Sequence, residues 1–116
     1  MNVSEEGSID LASRHCAPCE EGTPPLSREE VGRMMGQLEG WEAVDGRIER
    51  EFRFKNYYQT MAFVNAVAWI ANRENHHPHM QVGYNTCRVG FTTHAIGGLS
   101  ENDFICAAKV EALLSD

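Results

Sequence analysis

The sequence predicts an α+β domain: a four-stranded antiparallel sheet with three helices on one face, in the order α-β-β-α-β-β-α. Three observations carry this. Two stretches of alternating apolar and polar residues, each folded about a short turn, read as β-hairpins. Three stretches that open on Ser or Asn have apolar residues at helical spacing. Hairpins with interspersed helices suit an antiparallel sheet covered on one side. A chain of 116 residues suits one domain, and 42% hydrophobic with 23% charged residues is an ordinary globular composition.

Residues 1–24 mix Ser, Gly, Glu and Pro without periodicity and end at Pro24-Pro25. They read as a flexible N-terminal tail, and residues 25–116 as the domain. The first helix begins at Ser27, which forms a capping-box pattern with Glu30. Leu26 and Val31 sit at staple positions. Val31, Met34, Met35 and Leu38 supply an apolar stripe, and Gly40 is the expected stop.

The first hairpin turns at Asp45-Gly46, a strong two-residue signal. Trp41 to Val44 precedes it. Ile48, Phe52 and Phe54 alternate with charged residues after it, although Arg50 interrupts the apolar side. The second helix spans about Tyr57 to Arg73, with Asn56 as cap. Its apolar residues cover nearly the whole circumference, so it should be buried all round. A domain this small cannot cover both sides of one helix. One face should meet the sheet and the other a second subunit.

The second hairpin runs through Met80 to Tyr84 and Cys87 to Thr93, with Asn85-Thr86 as its turn. Gly97-Gly98 breaks the chain. Ser100 caps the last helix, with Asp103 three residues on and Leu99 and Phe104 as a staple.

Composition excludes several functions. The net charge is −7 and no basic run appears, which argues against direct nucleic-acid binding. No signal peptide is evident, and the most apolar stretch, Met61 to Ala71, is too short to span a bilayer. The expectation is a soluble cytoplasmic protein. Cys16, Cys19, Cys87 and Cys106 then read as thiols.

Three of the five histidines fall together in Asn75-His76-His77-Pro78-His79. Pro78 disfavours helix at His77, so the second helix should end here. His94 ends the last strand. If Asn85-Thr86 closes the hairpin, Tyr84 pairs with Cys87 and His77 lies opposite His94, with Cβ atoms roughly 5 Å apart. His76 would then sit at the rim of the same pocket. Imidazoles titrate near neutral pH, and two or three around a cleft suit a reaction that moves protons in both directions. Dehydration is such a reaction. Nothing suggests a covalent nucleophile, a phosphate loop or a nicotinamide site.

Asn75-His76-His77-Pro78, with Tyr84, His94 and Asp103 at their spacings, resembles the signature of the pterin-4a-carbinolamine dehydratases. The resemblance covers roughly residues 25 to 114. It implies a hydro-lyase that dehydrates a 4a-hydroxytetrahydropterin to the quinonoid dihydropterin, recycling the cofactor of aromatic amino-acid hydroxylases. It implies no cofactor and no metal. By position, His76 and His94 match the family's acid/base pair and His77 a histidine that binds and orients the pterin. Pro78, Thr93, Ala95 and Ile96 match positions lining the pterin site. Many members are tetramers, which agrees with a homodimer or homotetramer through the 57–73 helix, and association with a hydroxylase is implied as well. Family members often carry an acidic residue where this chain has Asn72, and another where it has His79.

Other readings stand beside this one. His76 and His77 at a helix end are favoured by the helix dipole alone. Asp103 is explained as a cap, and Tyr84 as a core aromatic. His15, Cys16 and Cys19 form H-C-x-x-C, which could ligate zinc but lacks a fourth ligand. A binding module, serving as dimerisation partner of a transcription factor or hydroxylase, is the alternative to an enzyme.

Overall fold

The computed structural model describes residues 10–114. The expected order of elements is found: α1 (Arg28–Met35), β1 (Glu42–Val44), β2 (Arg47–Arg53), α2 (Tyr57–Glu74), β3 (His79–Val82), β4 (Thr86–Phe91) and α3 (Glu101–Ala112), with 3-10 turns at Leu11–Ser13 and His94–Ile96. The strands form one antiparallel sheet in the order β1-β2-β4-β3. Among the described residues, no helix is long and apolar enough to cross a membrane.

Alternation along the two central strands decides which face is dry. Ile48 and Phe52 of β2 and Cys87, Val89 and Phe91 of β4 are buried beneath Phe63 and Val67 of α2 and Phe104 and Val110 of α3. Arg50 points to this same side, and its charge is met there. Its guanidinium lies 4.8 Å over the Phe52 ring and donates to Glu111 at 2.5 Å and to the Glu39 carbonyl at 3.1 Å. Trp41 Nε1 donates to the same Glu111 at 2.8 Å. The opposite face is wet: Arg88 bridges Glu49 and Glu51, each at 3.2 Å.

The caps form as the sequence indicates. Ser27 and Glu30 close a reciprocal capping box, Asn56 accepts from the Gln59 amide at 2.9 Å, and Ser100 and Asp103 make a second box. Several expectations are corrected, among them Tyr84, which is 66% exposed and not in the core. The first helix ends at Met35, not at Gly40, because the chain must turn to bury Leu38 and Trp41. Gly40 serves that turn instead. It holds φ +90°, and a Cβ there would meet the Arg50 guanidinium at 2.9 Å.

The second hairpin closes at Tyr84-Asn85 rather than Asn85-Thr86. Gly83 donates to the Thr86 carbonyl at 2.8 Å, so Val82 pairs with Cys87 and His79 with Gly90. Neighbouring elements select this turn. The Thr60 hydroxyl donates to the Tyr84 carbonyl at 2.9 Å, and the Phe54 amide to the Asn85 carbonyl at 2.8 Å. The ladder shifts by two residues, so every side chain keeps its face. His77 is therefore not paired with His94: β3 starts only at His79, and His94 lies in a 3-10 turn beyond β4.

Along α2 the buried residues Thr60, Phe63, Val67, Ala71 and Glu74 form one stripe. The other side carries Tyr58 and Trp69, the latter 60% exposed. The tail expectation for residues 1–9 lies outside the described residues. Residues 11–19 do not stand off the domain. Leu11 is 3% exposed and belongs to the core, and Lys109 Nζ donates to the Ala12 carbonyl at 2.8 Å.

Candidate active site

The end of α2 sets the site. Asn75 takes the left-handed conformation, φ +53°. Asparagine tolerates this better than most residues, because its short side chain can bond locally. The His76 amide then reaches back to the Ala71 carbonyl at 3.1 Å, closing the helix in a Schellman arrangement. This reversal swings His76 inward beneath α3.

His76 is held on two sides. Its ring stacks on Phe91 with centroids 6.0 Å apart and planes 11° apart. Its Nε2 lies 2.6 Å from Asp103 Oδ1. Asp103 is wholly buried, yet its carboxylate has three partners. Oδ2 accepts from the Thr93 hydroxyl at 2.8 Å and from the Ser100 amide at 2.9 Å. Thr93 in turn accepts from the Ser100 hydroxyl at 2.7 Å. A buried carboxylate is tolerable only with such donors. Since it accepts at Oδ1, the His76 proton sits on Nε2, and Nδ1 is left as the nitrogen able to act on a ligand. Asp103 is thus both the expected cap and the anchor of His76.

His76 and His77 share with Thr93, His94 and Ala95 a cleft of about 590 Å³. His77 and His94 are exposed, whereas the His76 side chain is 11% exposed. The two histidine-bearing stretches do converge on one cleft, although not through the strand pairing first inferred. Pro78 and Ile96 are half-buried and do not line it, and Asn72 is exposed on α2. A larger cleft of about 800 Å³ lies over the wet face of the sheet, lined among others by Arg47, Glu49, His79 and Arg88. It shares His94 but lacks His76 and His77. The smaller cleft is the better candidate, because it gathers His76, His77 and His94 together.

The N-terminal segment supplies an unexpected wall. Cys16, Ala17, Pro18 and Cys19 line the same cleft. Glu74 secures them: its carboxylate accepts from the Cys16 amide at 2.7 Å and lies 3.0 Å from His15 Nδ1. Burial alone would raise the Glu74 carboxyl, but the Cys16 amide, His15 and the Lys109 ammonium together hold it below its usual value. The Cys16 sulfur lies 3.5 Å from that of Cys106. This contact, with burial, pushes the Cys106 thiol up, so it stays protonated. Among the described residues, no group of three or more His, Cys, Asp or Glu side chains is placed to hold a metal ion. Sequence reasoning missed Glu74 and Asn102 as site-framing residues. The available signal was the H-C-x-x-C run itself, which needed polar partners wherever it folded.

Residues 24–113 match the Pterin 4 alpha carbinolamine dehydratase family. Relatives bearing the name pterin-4-alpha-carbinolamine dehydratase as a provisional assignment include one from Nitrosomonas eutropha, 69% identical over 106 residues (90% of this chain, 94% of that protein). Another, from Nitrosospira multiformis, is 65% identical over 104 residues, covering 90% of this chain and 92% of that one. A crystal structure of a transcriptional coactivator/pterin dehydratase from Brucella melitensis superposes with TM-score 0.75 at 31% identity, covering 78% of this chain and 99% of that one. With the His-His-Pro turn, His94 and Asp103 in place on this sheet, the chain belongs to the pterin-4-alpha-carbinolamine dehydratase family of hydro-lyases.

Proposed function

We propose that the chain dehydrates a 4a-hydroxytetrahydropterin by histidine acid/base catalysis. The observation that carries this is the convergence of His76, His77 and His94 on one cleft, with His76 locked to the buried Asp103. In the reaction, one imidazole protonates the 4a-hydroxyl as it leaves as water. A second takes the proton from the adjacent ring nitrogen, whose electrons form the new C=N bond. Net proton consumption is zero, but the two histidines end with their protonation states exchanged, and proton exchange with solvent resets them before the next turnover. His76 and His94 are assigned to these transfers. His77, exposed at the cleft mouth, binds and orients the pterin, with Thr93 and Ala95 as lining residues. No cofactor is needed, because no electrons change hands. The product is the quinonoid dihydropterin, which places the protein in recycling the tetrahydropterin of aromatic amino-acid hydroxylases.

The test is the decay of freshly generated 4a-hydroxytetrahydropterin, followed by absorbance with and without protein. His76→Ala and His94→Ala should each lower turnover by about 100-fold or more while the fold is retained. His77→Ala should chiefly raise KM. Undiminished rates in both of the first two variants would remove their assignment.

Self-association through the outer side of α2 is part of this proposal, and the exposed Tyr58 and Trp69 there support it. The coactivator description of the Brucella relative favours a second reading, in which that face serves a regulatory partner. Partner binding that survives in a protein without pterin turnover would support it.

A further inference from the structure

We propose that the segment from Ala12 to Cys19 is part of the ligand site: a strap whose apolar side chains wall the histidine cleft and set how tightly the pterin is held. This rests on the reading of that cleft as a pterin site. The strap lies ahead of residues 24–113, the stretch matched to the family.

The strap is fastened at the two points that frame the catalytic histidine. Glu74, two residues before His76, takes the Cys16 amide and His15. Asn102, next to Asp103, grips Ala17 at both ends: its Oδ1 accepts from the Ala17 amide at 3.1 Å, and its Nδ2 donates to the Ala17 carbonyl at 2.6 Å. That carboxamide reproduces the pairing a neighbouring strand would offer. Both anchors are largely buried, each at 9% exposure. A carboxylate and a carboxamide so placed need partners, and the strap backbone supplies them. Further along, Arg14 pairs with Glu101, Lys109 holds the Ala12 carbonyl, and Leu11 is seated in the core. Fastening of this density over the nine residues from Leu11 to Cys19 fits a built wall rather than a passing tail.

What the strap presents to the cleft follows from what it has already spent. The amides of Cys16 and Ala17 are bonded to the anchors. Pro18 has no amide hydrogen. The Cys16 sulfur rests against Cys106, and that of Cys19 lies 3.5 Å from Asn102 Nδ2. The Ala17 and Pro18 side chains add small, apolar surface to the cleft. Such a wall contributes contact and excludes water. It therefore acts on binding and leaves the acid/base step to the histidines.

Two measurements on the full chain test this. In the unaltered protein, alkylation by N-ethylmaleimide is followed at each cysteine by mass spectrometry, with and without saturating 7,8-dihydrobiopterin. Cys19 should react about tenfold more slowly with the pterin bound, while the buried Cys87 and Cys106 stay unreactive in both. In Ala17→Pro, which removes the amide that Asn102 accepts, KM should rise about tenfold with kcat nearly unchanged. Pterin binding without protection of Cys19, or a KM in the variant equal to or below that of the unaltered chain, overturns the strap and leaves the dehydratase reading standing. Absence of dihydrobiopterin binding to the unaltered chain overturns both.

Discussion

At the scale of single residues, the site depends on one buried carboxylate. Asp103 joins the start of α3 to His76 through its two oxygens. Asp103→Ala leaves the His76 ring, the Thr93 hydroxyl and the Ser100 amide without their acceptor, and should cost about 3 kcal/mol in denaturant unfolding. Asp103→Asn keeps the shape but turns an amide hydrogen toward Nε2, which favours the wrong tautomer. Turnover should fall about 100-fold with the melting profile preserved far better than in the alanine variant. Equal activity in the asparagine variant would mean that Asp103 serves the helix alone. Glu74 offers a pH test. Its folded carboxyl releases its proton more readily than the unfolded one, so its stabilisation is complete above the ordinary value near 4.5 and fades as pH falls through the lower folded value. The stability gap between the native chain and Glu74→Gln should thus be constant at neutral pH and close below about pH 4 in urea titrations.

At the scale of elements, the reversal after α2 is the decisive piece. Asn75 must hold a positive φ for His76 to turn under α3. Asn75→Val should cost about 1–2 kcal/mol, since a branched side chain clashes in that conformation. Asn75→Gly should be close to neutral. Thermal unfolding of the two variants separates conformational strain from loss of the side chain, because both lack the carboxamide. Capping patterns were legible residue by residue, since a cap and its partner lie within four positions and need nothing from elsewhere. The second turn was not. Tyr84-Asn85 and Asn85-Thr86 differ little in local preference, and the choice is made by Thr60 and Phe54, which donate to the turn carbonyls.

At the scale of the whole molecule, α2 divides its surface between a core stripe and an outer side with exposed Tyr58 and Trp69. If that side joins subunits, Trp69→Asp should shift the protein to a smaller species in sedimentation velocity at micromolar concentration, with the far-ultraviolet circular dichroism unchanged. A mass equal to that of the unaltered chain would place any interface elsewhere.

By itself the sequence determined the order and type of the elements, the dry face of the sheet and the presence of two separate histidine-bearing stretches. Each follows from interactions between residues a few positions apart, or from an alternation that survives a register shift of two. Only the tertiary structure decided that His76, not His77, is the ring locked to Asp103, and that the segment around Cys16 closes the cleft. Those outcomes depend on which distant polar groups a buried carboxylate finds, and no local pattern along the chain records that choice.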